Sequence, residues 1–166
     1  MMGAGKTTVG RQLAKRLGKT FCDADREIEA RTGVSVAVIF DIEGESGFRK
    51  RETEILEQLT LLEDIVLATG GGAVLDPRNR EYLKDRGFVI YLHAVPPILW
   101  QRTRADKSRP LLQDADPRQR LEALYTARDP LYRDVADLVI ETGRQGIGPM
   151  LTQLLARFDE ACKLSA

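Results

Sequence analysis

The chain opens MMGAGKTTVGRQLAKRLG (residues 1–18), and the reading of this stretch decides the fold. Gly5, Lys6 and Thr7 fill the last three places of the phosphate-binding pattern G-x-x-x-x-G-K-[ST]. Gly3 and Gly5 let backbone amides curl around phosphate oxygens that side chains would hold away. Lys6 is placed to neutralise β- and γ-phosphates, and the Thr7 hydroxyl to ligate magnesium. From Thr7 to Leu17 the apolar residues Val9, Leu13 and Leu17 alternate with basic ones, which predicts an amphipathic helix ended by Gly18. Its positive end points at the same phosphates. The pattern's first glycine would fall one place before Met1, and no strand precedes the loop in these residues.

Length and composition narrow the class. The 166 residues suit one domain, and 43% hydrophobic with 30% charged residues suits a globular chain with a sizeable core. Lysine plus arginine equals aspartate plus glutamate at 25 each, which argues against a nucleic-acid partner. Cys22 and Cys162 are the only cysteines and form no disulfide or metal spacing, as expected of a cytoplasmic protein. Cys22, in a hydrophobic run, reads as a small core residue. No apolar run approaches the ~20 residues of a membrane span, and the N-terminus has no signal-peptide pattern.

Short apolar runs alternate with helical patterns along the chain. Strands are expected at Thr20–Cys22, Ile65–Ala68, Phe88–Leu92 and Leu138–Ile140. Helices are expected over 25–31, 45–62, 77–84, 97–104, 118–127 and 147–164, with a short apolar segment at 36–42. This alternation predicts an α/β fold, a parallel sheet flanked by helices. The helical stretch 25–62 is too long for a simple crossover, and RADKSRPLLQDAD around Arg109 is polar and loop-like. An acceptor-binding insertion and a lid are expected at those places, because sites gather at the carboxyl ends of parallel strands.

Four further motifs carry chemistry. FCDAD puts Asp23 at a strand end, where a carboxylate supports magnesium, and Asp25 two residues on, within reach of an acceptor hydroxyl. Asp25 before REIEA also reads as a helix N-cap. Arg49 in GFRKRE, Arg109 in RPLL and Arg128 in ARDPLY sit in apolar or glycine-rich company, suited to bidentate grip of carboxylate or phosphate. TGGGAV, carrying Gly70, Gly71 and Gly72, leaves bare backbone at a strand end, as ligand approach requires. His93 and Trp100 read as structural.

GAGKTT, DAD, GFRKRE, TGGGA, RPLL and RDPLY, in this order over nearly the whole chain, resemble the shikimate kinases. The resemblance implies a three-layer P-loop fold with a five-stranded parallel sheet, an acceptor-binding subdomain over 25–62 and a lid over 104–117, in one domain spanning 1–166. It implies transfer of the ATP γ-phosphoryl group to the 3-hydroxyl of shikimate, with Mg2+, on the way to chorismate and the aromatic amino acids. By matching motif, Gly3, Ala4, Gly5, Lys6, Thr7 and Thr8 hold phosphates, and Thr7 and Asp23 serve the metal. Asp25 holds the acceptor hydroxyls and takes a proton. Arg49 and Arg128 grip the acceptor carboxylate, with Glu52 steadying Arg49. The backbone of Gly70, Gly71 and Gly72 meets the acceptor hydroxyls. Arg102 lies against the adenine, and Arg109 reaches the phosphates. The expected partners are shikimate and ATP, with no nucleic acid and no membrane, in a cytoplasmic monomer.

The chain departs from the family pattern in two places. The first loop glycine and the strand before it are missing, and residues 144–149 match only loosely. The expectation is a misplaced start or a trimmed chain. It carries a second: lower stability and activity than a longer form that includes the central strand. The alternative function is a catalytically impaired, shikimate-kinase-like ligand-binding module.

Overall fold

Parallel strand pairing places the carboxyl ends of neighbouring strands side by side, and that constraint organises this molecule. The computed structural model describes residues 1–105, 116–143 and 146–164. In chain order these are α1 (Lys6–Leu17), β1 (Thr20–Asp23), α2 (Ala24–Thr32), α3 (Val36–Leu59), β2 (Ile65–Ala68), a 3-10 turn (Ala73–Leu75) and α4 (Pro77–Arg86). Then follow β3 (Ile90–His93), α5 (Pro96–Thr103), α6 (Pro117–Val135), β4 (Leu138–Glu141) and α7 (Ile147–Leu164). The predicted α/β layering is present, with parallel strands flanked by helices.

The strands form two parallel pairs. In one, Thr20 lies opposite Ile65 and Asp23 opposite Ala68. In the other, Ile90 lies opposite Leu138 and His93 opposite Glu141. No ladder joins the pairs among the described residues. A cavity of about 670 Å³ lies between them, lined by β2, β3, Val9, Leu13 and Leu154.

Apolar periodicity explains the helices. On α1, Val9 and Leu13 are buried, while Leu17 is half-buried. Gly5 caps this helix at φ 93°, in the left-handed region that glycine enters without steric cost. One core cluster joins α1 to Leu92, Leu99, Leu121, Ile140 and Leu154. A second holds Ile28 of α2 to Ile39, Phe48, Ile55 and Leu56 of α3. This cluster also takes in Ala73, with Leu67 of β2 packed against it.

Several sequence expectations shift. The third strand starts two residues later than FVIYL suggests. The Val89 amide donates to the Asp137 carboxylate (2.7 Å), and its carbonyl accepts the Asp137 and Leu138 amides, so pairing begins at Ile90. The helix expected to stop at Ala127 runs to Val135 with Pro130 inside it. Proline removes one helical hydrogen bond. The helix persists because Leu121, Leu124, Arg128, Tyr132 and Val135 form one continuous buried stripe at helical spacing. Cys22 is half-buried on β1 rather than in the core. The cap of α2 is Asp23, not Asp25, which lies in the first turn.

α3 breaks at Gly44, as its position in the sequence suggests, with φ 70° and ψ −178°. This conformation is essentially restricted to glycine, and space around the Cα is open. Gly44→Ala is therefore expected to lower unfolding free energy by about 1–3 kcal/mol through backbone strain alone. Urea denaturation measures it; an unchanged midpoint would show that the kink relaxes without penalty.

Candidate active site

The strand ends bring the motifs together. At the end of β1, the Thr7 hydroxyl donates to Asp23 Oδ2 at 2.9 Å, tying the first turn of α1 to the strand. Lys6 Nζ donates to the Met1 carbonyl at 2.7 Å and so spans the loop. Ala4 is buried beneath the loop, and Thr8 is exposed. Gly3, at φ 74°, sits against α5, where a Cβ would meet Thr103 Cγ2 at 2.7 Å. Arg102 of α5 donates to the carbonyls of Gly3 (3.3 Å), Gly143 (2.9 Å) and Thr142. It thereby joins the loop to the segment after β4. Arg109 lies outside the described residues.

The end of β2 opens onto a second cluster. Arg49 Nη1 donates to Glu52 Oε2 at 2.6 Å, and its Nε and Nη2 donate to Glu45. The Glu52 side chain is 0% exposed, and burial pushes its pKa up despite Arg49. Asp25 is also raised, by burial and by Asp23, with Lys6 and Arg49 pulling the other way. Two carboxylate oxygens, Asp25 Oδ1 and Glu52 Oε1, are buried without a hydrogen-bond partner. Both approach Gly70: a Cβ there would lie 3.0 Å from Asp25 Oδ1 and collide with Glu52 Oε1. A Cβ on Gly72 would overlap the Arg49 guanidinium. The three glycines need no left-handed backbone; Gly70 and Gly72 leave room for charged groups.

Arg128 is the sharpest feature. It is 2% exposed, yet among the described residues no carboxylate lies within ion-pair distance of it. Its Nη1 donates to the Gly71 carbonyl at 3.0 Å, and burial lowers its pKa. A buried cation without a paired anion costs several kcal/mol, a cost that a bound anion would offset.

The structure thus assembles Asp25, Arg49, Glu52, Gly70, Gly71, Gly72 and Arg128 in one cluster, and Gly3 to Thr7, Asp23 and Arg102 in another. Sequence reading missed Tyr132. Its hydroxyl donates to the Gly71 carbonyl, and its ring stacks on Tyr91 at 4.8 Å. Burial pushes its pKa up to about 12, so it stays a neutral donor. The spacing from Arg128 to Tyr132 in RDPLY is one helical turn. That signal is lost when the helix is stopped before Pro130.

Magnesium fits one place. Thr7 Oγ1 and Asp23 Oδ2 are adjacent hard oxygen donors at the loop. Magnesium uses few protein ligands and completes its shell with phosphates and water. Among the described residues no group of three His, Cys, Asp or Glu is placed to hold a metal.

A glycine-lined anion loop at a helix N-terminus, beside an acceptor pocket at the carboxyl ends of parallel strands, defines a phosphoryl-transfer enzyme of the P-loop kinase class. The chain matches the family described as Shikimate kinase over residues 2–159. A shikimate kinase of Burkholderia lata is 60% identical over 97% of this chain and 88% of the relative. One of Thiobacillus denitrificans is 57% identical over 96% and 87%. A structure titled as shikimate kinase from Acinetobacter baumannii in complex with shikimate superposes with a TM-score of 0.93 at 50% identity, covering 96% of this chain and 89% of that one. The enzyme from Bacteroides thetaiotaomicron gives 0.86 at 31% identity, covering 95% and 94%. The chain belongs to the shikimate kinase family.

Gly70→Ala tests the glycine floor. Displacing the Asp25 and Glu52 oxygens is expected to lower kcat/KM at least ~10-fold, while the protein stays folded by circular dichroism. Wild-type turnover by this variant would show that the carboxylates need no such clearance.

Proposed function

We propose that this chain phosphorylates the 3-hydroxyl of shikimate with ATP, a step toward chorismate and the aromatic amino acids, using the two clusters as nucleotide and acceptor subsites. The observation that carries the acceptor assignment is Arg128, a buried guanidinium with no paired carboxylate among the described residues, beside two buried carboxylate oxygens that find no donor there. A small ligand bearing one carboxylate and several hydroxyls satisfies both needs at once.

In this reading Arg49 and Arg128 hold the acceptor carboxylate, and Glu52 and Glu45 fix Arg49. Asp25 accepts from the reacting hydroxyl. As the γ-phosphorus–oxygen bond to ADP breaks and the new oxygen–phosphorus bond forms, the hydroxyl proton passes to the Asp25 carboxylate. Gly3 to Thr8 hold the phosphates, Lys6 neutralises developing charge, and Arg102 borders the nucleotide. Thr7 and Asp23 would hold magnesium, which supplies charge neutralisation to the phosphates when bound. Residues 25–62 form the acceptor subdomain; the lid over 104–117 and the role of Arg109 rest on the family resemblance alone. Monomeric, cytoplasmic action is part of this reading, supported by a site drawn from one chain and a free Cys22 thiol. No helix among the described residues is long and apolar enough to cross a membrane.

A coupled assay of ADP release with ATP, Mg2+ and shikimate tests the proposal. Lys6→Met and Asp25→Asn are each expected to lower kcat at least ~100-fold with the fold kept. Arg49→Ala and Arg128→Ala are expected to raise KM for shikimate on the order of 30-fold, the equivalent of ~2 kcal/mol, with little change for ATP. A rise for ATP instead would overturn the acceptor assignment. Ligand binding without ADP release in the wild type would favour the impaired binding module.

A further inference from the structure

His93 ends β3 and points into a polar network that the nucleotide and acceptor subsites do not use. Its ring is almost wholly buried, at 6% exposure. Nδ1 lies 2.7 Å from both carboxylate oxygens of Glu141, the residue opposite it on β4. A carboxylate only accepts, so Nδ1 carries a proton. Nε2 lies 2.7 Å from the Tyr125 hydroxyl on α6, a partner that can donate or accept, with Asp129 Oδ1 3.8 Å away. Two residues earlier on β3, the Tyr91 hydroxyl donates to Asp129 of α6 at 2.8 Å. Arg133 donates to the other Asp129 oxygen, also at 2.8 Å. The Tyr91 ring stacks on Tyr132 of the same helix.

One face of α6 is thus fastened to the end of β3 through Tyr125, Asp129 and Tyr132. The adjoining face presents Arg128 and Tyr132 to the Gly71 carbonyl. Tyr125 precedes Arg128 by three residues, nearly one turn. The backbone of His93 carries a second connection. Its carbonyl accepts from the Thr142 amide (2.7 Å) and the Thr142 hydroxyl (3.0 Å). Arg102 in turn grips the Thr142 carbonyl and Gly3 of the phosphate loop. His93 therefore meets the nucleotide side through its carbonyl and the acceptor helix through its ring.

We infer that His93 is a positioning residue for acceptor binding: its ring bond to Tyr125 sets α6, and with it Arg128, relative to the phosphate loop. The inference rests on the assignment of Arg128 to the acceptor carboxylate. The placement explains why a histidine occupies a strand end here. Its two separated ring nitrogens let it meet the Glu141 carboxylate and the Tyr125 hydroxyl together.

The test is a set of steady-state measurements on purified variants, with thermal melts confirming folding. His93→Phe keeps the ring volume and removes both bonds. It is expected to raise KM for shikimate about fivefold, the worth of one neutral hydrogen bond. kcat and KM for ATP should stay within about twofold. Tyr125→Phe, a milder change at a half-buried site, should give the same rise, and the double variant no more than either single one. His93→Gln, whose amide reaches the Nε2 place, should restore most of the affinity; His93→Asn, which reaches only the Nδ1 place, should not. Unchanged KM in both His93→Phe and Tyr125→Phe, or additive effects in the double variant, overturns the inference. Arg128→Ala runs alongside. If it raises KM and His93→Phe does not, positioning by His93 is wrong and the acceptor assignment stands. If Arg128→Ala leaves KM unchanged, the acceptor assignment fails, and this inference with it.

Discussion

A full positive charge held at 2% exposure, without a carboxylate partner among the described residues, sets the terms for everything around it. Removing a guanidinium from water costs several kcal/mol, even after relaxation. Arg128 recovers part of this through the Gly71 carbonyl, which it shares with Tyr132. That carbonyl belongs to the glycine run after β2, where a Cβ on Gly70 or Gly72 would collide with Glu52 or Arg49. The helix that carries Arg128 must in turn be held rigidly, and α6 is: a buried apolar stripe on one side, Tyr125 and Asp129 bonded to β3 on the other. The site's geometry thus depends on a helix that local propensity alone would have broken at Pro130.

That dependence also marks where the sequence could be read and where it could not. The phosphate loop, α1 and the strand at Ile65–Ala68 follow from local signals: glycines, a cationic residue beside a hydroxyl, an apolar run between turns. Gly44 was legible only as the start of the helix after it, because the apolar segment 36–42 before it showed no clear helical pattern. The extent of α6 was not, since proline's local penalty of ~3 kcal/mol is outweighed only by tertiary burial at Tyr132 and Val135. The start of β3 was hidden for a similar reason: the Asp137 side chain, far along the chain, claims the Val89 amide. Asp25 illustrates a third case. Its residue type suits a cap, but the cap position falls to Asp23, leaving Asp25 turned into the pocket.

The two hydrophobic clusters divide the labour. One holds α1, α5, α6 and α7 around β3 and β4; the other is confined to α2, α3 and their contacts. The nucleotide loop rests on the first and Arg49 and Glu52 on the second, while Arg128 reaches across from the first to the glycine run. A two-part core of this kind lets the acceptor half keep its internal geometry if it shifts against the nucleotide half. The bonds that cross between them include Thr7 to Asp23, and Arg128 and Tyr132 to Gly71. Polar links of this sort can break and re-form with smaller penalty than packed apolar contacts.

The unpartnered oxygens decide which ligand completes the pocket. Asp25 Oδ1 and Glu52 Oε1 are buried acceptors in need of donors, and Arg128 is a buried donor in need of an anion. Water brings donors but no charge for Arg128. Inorganic phosphate brings charge, but its anionic oxygens would face two carboxylates whose ionisation burial already opposes. A polyol alone leaves the arginine unmet. In the proposed reading, a molecule with its anion at one end and hydroxyls at the other would satisfy all three groups in one pose, and that pose would place a hydroxyl against Asp25. Selection against water as the phosphoryl acceptor therefore begins with the ground-state charge pattern of the pocket, before any part of the protein closes over it.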